Sequence, residues 1–285
     1  VNAARGALRV RGRVLAWGAR TYVMGIVNVS PDSFSGDGDP DPQTAAALAR
    51  AQVADGADMV DVGAESTRPG HRPIDEPTEI ARLIPAIEAI RDAAPDAIVS
   101  VDTFKPAVFR TAYAAGGDVL NSIWGAPDEL IATAAECGAP IVVMHNKAVA
   151  IYERDVVDEM LAFLEEAAAR CVRAGIRAEH VILDPGIGFG KLPEHNIAVL
   201  RALDRLVALG FPTLIGTSRK STIGKLTGRE VGAREFGTAA TLALAIAAGI
   251  DVVRVHDVPE QRDVVRVTDA IVRGWRPEGW TERLP

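Results

Sequence analysis

The feature that most constrains this chain is an alternation repeated eight times. Short runs rich in Val and Ile are each followed by a stretch of helical character. The runs are "VMGIVNV", "DMVDVGA", "AIVSVDT", "DVLNSIW", "PIVVMHN", "HVILDPG", "PTLIGTS" and "DVVRVHD". The helical stretches are 44–55, 76–93, 105–115, 127–137, 156–174, 194–209, 235–248 and 259–273. Near-continuous apolar strands separated by helices belong in a parallel sheet covered on both faces. Eight such units in 285 residues predict an α/β fold, a single (β/α)8 TIM barrel with its core at about 21–275. An open doubly wound sheet is the alternative, and the unit count and the missing glycine fingerprint argue against it. No composition break or low-complexity tract divides the chain, so residues 1–285 are read as one domain. The head, "ALRVRGRVLAWG", alternates apolar and basic residues and is expected to form a hairpin capping the barrel bottom. The residues from Pro277 are expected to be a loose tail.

Charge narrows the partners. The chain carries 31 Lys and Arg against 38 Asp and Glu, mixed along its length, for a net charge of −7. A nucleic-acid surface usually shows as a basic cluster, so nucleic acid is not the expected partner. No apolar run reaches the roughly 20 residues that span a bilayer, and no leader pattern opens the chain. Cys137 and Cys171 fall in helical stretches and read as reduced core residues, which suits a cytoplasmic setting.

The polar residues gather at the C-terminal ends of the strands. Strand one ends at Asn28, strand two at Asp61, strand three at Asp102, and strand four carries Asn121. Strand five ends at Met144 to Asn146, and strand six ends at Asp184 in "DPGIGFGK". Strand seven runs into "TSRKS", and strand eight holds Arg254, His256 and Asp257. In a (β/α)8 barrel these positions share one mouth, where such barrels do chemistry. Taken singly, each has a plain explanation. Asp102 could cap a helix, His256 could be a satisfied core histidine, and Arg219 or Lys220 could be a surface charge. Eight coincidences at one mouth are harder to accept. Buried carboxylates with an amide suit a ring with several N–H donors, because a bare core leaves them unpaired. Arg68, Arg219, Lys220, Arg254 and His256 on the rim suit an anion.

Several familiar motifs fail. "GIGFGK" lacks the dinucleotide spacing, and Leu192 follows Lys191 where a phosphate loop needs Ser or Thr. "GTSRK" lacks the second glycine of a nucleophile elbow. The five histidines, at 71, 145, 180, 195 and 256, show no zinc spacing. Positioning and electrostatics are left as the means of catalysis.

The motifs "MGIVNVSPDSFS", "DVGAESTRPG", "SVDT", "DPGIGFGK", "SRKS" and "RVHDV" resemble, in order, those of the dihydropteroate synthase family. These are the folate-pathway enzymes inhibited by sulfonamides. The resemblance covers about Val23 to Val258. It implies a homodimeric TIM barrel that joins p-aminobenzoate to 6-hydroxymethyl-7,8-dihydropterin diphosphate, with Mg2+ as cofactor. It also implies that 7,8-dihydropteroate and pyrophosphate are the products and that pyrophosphate leaves in an SN1-like step. Carried over by position, Asp102, Asn121, Asp184 and Lys220 would hold the pterin, with Met144 among the substrate-binding residues. Thr67 would lie by the diphosphate or pterin arm, Asn28 on Mg2+, and Arg254 with His256 on the diphosphate. Arg68 and Ser221 would stand near the p-aminobenzoate carboxylate, with Phe34, Pro69 and Phe189 as apolar walls. The catalytic group implied is Asn28, Asp37, Arg68, Lys220, Arg254 and His256.

The chain departs from the family pattern in three places. Its first loop ends Ser35-Gly36-Asp37-Gly38 rather than Ser-Asp-Gly-Gly, which displaces the loop Asp by one residue. Asn121 is followed by Ser122 rather than Asp, and then by Trp124. The loop "HNKAVAIYERDVV" is shorter than usual. Two alternatives stand beside the synthase reading. A methyltetrahydrofolate methyltransferase would share the Asp and Asn pattern but has no need of "ESTRPG" and "SRKS". A non-catalytic pterin-binding paralogue would be expected to lose the first two loops.

Overall fold

The computed structural model describes residues 6–30, 41–65, 73–277 and 279–280. A hairpin of β1 (Ala7–Val10) and β2 (Arg13–Ala16) opens the fold. Its two-residue turn places Arg11 at φ 49° and Gly12 at φ 72°, the pairing whose twist matches that of the flanking strands. Eight parallel strands follow: β3 (Tyr22–Asn28), β4 (Met59–Gly63), β5 (Ile98–Asp102), β6 (Val119–Ser122), β7 (Ile141–Met144), β8 (Val181–Asp184), β9 (Leu214–Ile215) and β10 (Val252–Val255). Neighbours pair in chain order from β3 to β8, and β10 lies between β3 and β9. A Leu183–Thr213 bridge, with the Leu183 N–H donating to the Pro212 carbonyl at 2.8 Å, joins β8 to the β9 side and closes the barrel.

Side-chain parity assigns every strand residue to one of two layers. Val23, Val27, Val60, Val62, Val99, Val101, Leu120, Val143, Leu183, Val253 and Val255 face out and pack with the helices. Met24, Met59, Ile98, Val119, Val142, Ile182, Leu214 and Val252 face in, in one apolar cluster with Leu8, Leu15 and Trp17 of the hairpin. The hairpin therefore plugs the bottom of the barrel, as its alternating pattern suggested. Arg11 Nε ties it to Asp118 at 2.7 Å, and Trp17 Nε1 donates to the Glu179 carbonyl at 2.9 Å.

Moving two residues along the same parity, toward the strand ends, turns the interior from apolar to polar. Ile26 and Asn28, Asp61, Ser100 and Asp102, Asn121, Met144, Asp184 and Arg254 occupy these upper positions. The register places Asp61 beside Ser100, Asp102 beside Asn121, and Met144 beside Asp184.

The helices are α1 (Pro42–Ala54), α2 (Glu76–Ala93), α3 (Pro106–Ala114), α4 (Asp128–Cys137), α5 (Val156–Arg173), α6 (Pro193–Arg201), α7 (Leu203–Val207), α8 (Ser221–Thr227), α9 (Glu235–Ala248) and α10 (Val258–Val272). Asp41, Asp75 and Asp155 cap α1, α2 and α5 through backbone N–H groups. Two sequence expectations need correction. The 194–209 stretch is two helices, because Ala202 leaves the helical conformation with φ −113° and ψ 21°. A further short helix, α8, starts directly at the Ser of "SRKS", ending in a left-handed cap at Gly228.

Candidate active site

The polar upper layer and the loops above it enclose a pocket at the C-terminal end of the barrel. Asp102, Asn121, Met144, Asp184, Phe189, Lys220, Arg254 and His256 all line it, as the sequence suggested. Asn28 ends β3, on the register of Gly63 and thence Asp102, at the same mouth. Ser221 is exposed in the first turn of α8. Phe34, Asp37, Thr67, Arg68 and Pro69 lie outside the described residues.

The plain explanations of the polar residues largely fall away. Asp102 caps no helix, since α3 starts from Lys105 with no side-chain cap. His256 Nδ1 and Ser218 Oγ stand 2.9 Å apart, and the half-buried ring faces the pocket. Arg219 differs from the sequence reading. Its guanidinium grips Asp257 through Nε, at 3.1 Å, and Nη2, so that charge is engaged beside the pocket rather than lining it.

Asp61, fully buried and paired in register with Ile26 and Ser100, is not among the residues lining the pocket, although the sequence placed it at the mouth with the other carboxylates. Its Oδ2 accepts from Arg254 Nε at 2.7 Å and from Asn121 Nδ2 at 3.0 Å. Arg254 Nη2 lies 3.5 Å from Asp102 Oδ2. Ile26, Ile123 and Ile187 supply apolar wall that the sequence reading missed. The signal for Asp61 and Ile26 was parity: each shares the inward parity of the residue that ends its own strand, Gly63 and Asn28.

The "DPGIGFGK" segment is shaped by left-handed glycines. Gly186, Gly188 and Gly190 have φ of 67°, 83° and 56°, a region open to glycine at little cost. The Gly186 N–H donates to Asp184 Oδ1 at 2.7 Å, fixing that carboxylate. Lys191 is buried behind the loop. Its ammonium donates to the carbonyls of Gly186 at 3.0 Å, Phe189 at 3.2 Å and His145 at 3.2 Å, and meets His145 Nδ1 at 2.8 Å. Lys220 approaches from the "SRKS" turn, its Nζ 3.9 Å above the Phe189 ring. At the base of the second loop, Lys105 joins Glu65, Glu79 at 2.5 Å and the Ile74 carbonyl at 2.8 Å.

Burial sets the protonation states. It pushes Asp102 up to about 8, helped by the charge of Asp61 and opposed by Arg254. Burial also raises Asp184 to about 6, against the Gly186 hydrogen bond and Lys220. Lys220 falls to about 8, from burial and then from Arg254. Near neutral pH the pocket therefore offers a protonated Asp102, able to donate and accept, and a mostly ionised Asp184, which only accepts. Arg254 and His256 add donors for an anion. The pocket can read the edge of a polar ring and hold a negative group at one side of it.

Comparison with known proteins agrees with this geometry. Residues 24–256 match the family model described as pterin binding enzyme. The dihydropteroate synthase of Bacillus subtilis (strain 168) is 41% identical over 268 residues, 93% of each chain. A solved dihydropteroate synthase from Clostridium difficile, in the presence of pteroic acid, superposes with a TM-score of 0.85 at 42% identity. The match covers 90% of this chain and 98% of that one. The enzyme from Thermus thermophilus, solved in complex with 4-aminobenzoate and with 6HMPPP, superposes with a TM-score of 0.82 at 42% identity. It covers 93% of this chain and 99% of its own.

Proposed function

Because the chain belongs to the dihydropteroate synthases of the pterin-binding enzyme family, we propose how its site carries out that family's reaction. The chain is a transferase of folate biosynthesis. It condenses 6-hydroxymethyl-7,8-dihydropterin diphosphate with p-aminobenzoate to 7,8-dihydropteroate and pyrophosphate. The observation that carries the account is that one pocket is lined both by two carboxylates and an amide, Asp102, Asp184 and Asn121, and by the basic side chains Lys220, Arg254 and His256.

In this reading Asp102, Asn121 and Asp184 pair with the ring edge, and Lys220 donates to a ring acceptor from its seat on Phe189. Ile123, Met144 and Ile187 enclose the faces. Arg254 and His256 receive the diphosphate, where Thr67 joins them. Arg68 and Ser221 hold the p-aminobenzoate carboxylate, with Phe34 and Pro69 as walls and Asp37 in the covering loop.

Mg2+ fits the donor set. Asn28 offers one neutral amide oxygen at the mouth. A neutral oxygen donor of that kind suits a hard cation that is otherwise held by water and substrate phosphates. Bound there, Mg2+ would neutralise charge developing on the leaving pyrophosphate.

The chain's own groups do the rest. The CH2 that loses pyrophosphate is attached to an electron-rich ring, so positive charge delocalises into the pterin. Arg254 and His256 meet the charge growing on the diphosphate, in a site arranged before the reaction begins. The p-aminobenzoate nitrogen then attacks a carbon already close to it. C–O cleavage thus runs ahead of C–N bond formation. A strictly concerted isotope effect at the CH2 carbon would contradict that order.

The wider setting follows the same reading. A single domain over 1–285 is supported by hairpin side chains that join the barrel core. A homodimer is supported by Phe236, Leu244, Val267 and Ile271, exposed apolar residues on the adjacent helices α9 and α10. A cytoplasmic location is supported by two free thiols, Cys137 and Cys171. No helix among the described residues is long and apolar enough to cross a membrane. Pyrophosphate release from the pterin diphosphate, with p-aminobenzoate and Mg2+ present, tests the function. Tight pterin binding without release would favour the non-catalytic paralogue.

A further inference from the structure

We infer that Asp61 is a positioning residue, kept inside the barrel to fix Arg254 and Asn121 rather than to stabilise the fold. The inference rests on the function proposed above.

Barrel interiors are normally filled by branched apolar residues, and a buried carboxylate among them is an exception. Asp61 is wholly buried on β4, and its Oδ2 gathers hydrogen bonds from β10 on one side and β6 on the other. The two bonds have separate consequences. Binding Arg254 at Nε holds the guanidinium by its inner edge, with Nη2 directed to Asp102 at 3.5 Å on the pocket wall. Binding Asn121 at Nδ2 settles which way that amide faces, so its oxygen is turned to the pocket as an acceptor. One buried atom thus sets both the cation and the amide of the site.

The other oxygen argues against a stabilising role. Asp61 Oδ1 has no hydrogen-bond partner among the described residues, and neither has Ser100 Oγ, the side chain on the paired β5 position. A buried polar oxygen without a partner works against folding. Asparagine has nearly the same shape, and its single oxygen can still accept from both Arg254 and Asn121. Asp102 stands close enough to Arg254 to take over as its counter-ion. Burial and then the charge of Asp61 favour the neutral form of Asp102, so removing that charge eases its ionisation beside Arg254. In Asp61→Asn the fold loses little, while the guanidinium is drawn from Asp61 toward Asp102 and away from its working place.

The test is steady-state kinetics and thermal melting on the full chain with Mg2+, for wild type, Asp61→Asn and Asp61→Leu. Asp61→Asn should melt at or above the wild-type temperature. Its KM for the pterin diphosphate should rise about tenfold or more, the loss set by one displaced charge-assisted hydrogen bond. Its KM for p-aminobenzoate should stay within about twofold, since that substrate meets neither Arg254 nor Asn121 in the proposed arrangement. Asp61→Leu, which gives up both hydrogen bonds, should bind the pterin diphosphate more weakly still. An unchanged pterin diphosphate KM in Asp61→Asn, or a lower melting temperature, would overturn the inference while wild-type turnover leaves the function standing. Wild-type protein that releases no pyrophosphate would overturn the functional reading and the inference with it.

Discussion

Replacing Gly186 by Ala tests how tightly the "DPGIGFGK" loop is built. Gly186 has φ 67°, and a Cβ there would fall well inside 3.0 Å of the His145 carbonyl oxygen. That oxygen cannot withdraw freely, because Lys191 bridges it to the Gly186 carbonyl at 3.2 and 3.0 Å. Left-handed backbone costs a residue with a Cβ roughly 1–2 kcal/mol. Forcing backbone apart in a packed wall adds about 1–3 kcal/mol. Gly210→Ala isolates the first effect, since Gly210 has φ 83° and a methyl group there would meet nothing within 4 Å. At about 2 °C per kcal/mol for a chain of this size, Gly210→Ala should lower the melting temperature by about 2–4 °C. Gly186→Ala should lower it by about 4–10 °C on the same scale. The Gly186 N–H also fixes Asp184, so this variant should lose pterin diphosphate affinity while Gly210→Ala keeps it. Paired thermal melts and calorimetric titrations read both effects. Equal melting temperatures for the two variants would refute the steric reasoning.

Two further outcomes follow from the site and the surface. The folded chain keeps on Asp102 a proton that an unfolded carboxylate releases near pH 4, so this residue's contribution to stability declines as pH rises toward about 8. Asp102→Asn should therefore gain melting temperature on wild type between about pH 5 and about pH 8.5, and a pH-independent difference would contradict the assignment. Phe236→Glu with Ile271→Glu should convert a dimer into a monomer in sedimentation equilibrium, and a monomeric wild type would remove the homodimer.

The barrel was legible because parallel strands and helices leave different periodicities, and eight units in 285 residues leave little else to build. The mouth was legible because Asp102, Asn121, Asp184, Arg254 and His256 end strands that should have stayed apolar. What escaped the reading depends on contacts between distant segments. Asp61 and Asp102 look alike in sequence, each in a "VD" at a strand end, yet Asp102 lines the pocket and Asp61 is fully buried outside its lining. Arg219 and Lys220 are adjacent, and only the folded turn sends one to Asp257 and the other to Phe189. The break at Ala202 carries no proline or glycine to announce it.

In the proposed arrangement one pocket holds the ring through Asp102, Asn121 and Asp184 and the diphosphate through Arg254 and His256. Calorimetry with the pterin diphosphate and with the corresponding pterin alcohol, on Asp184→Asn and His256→Ala, addresses it directly. Asp184→Asn should weaken both ligands alike, whereas His256→Ala should weaken only the diphosphate. Equal losses for both ligands in both variants would contradict the division of the site.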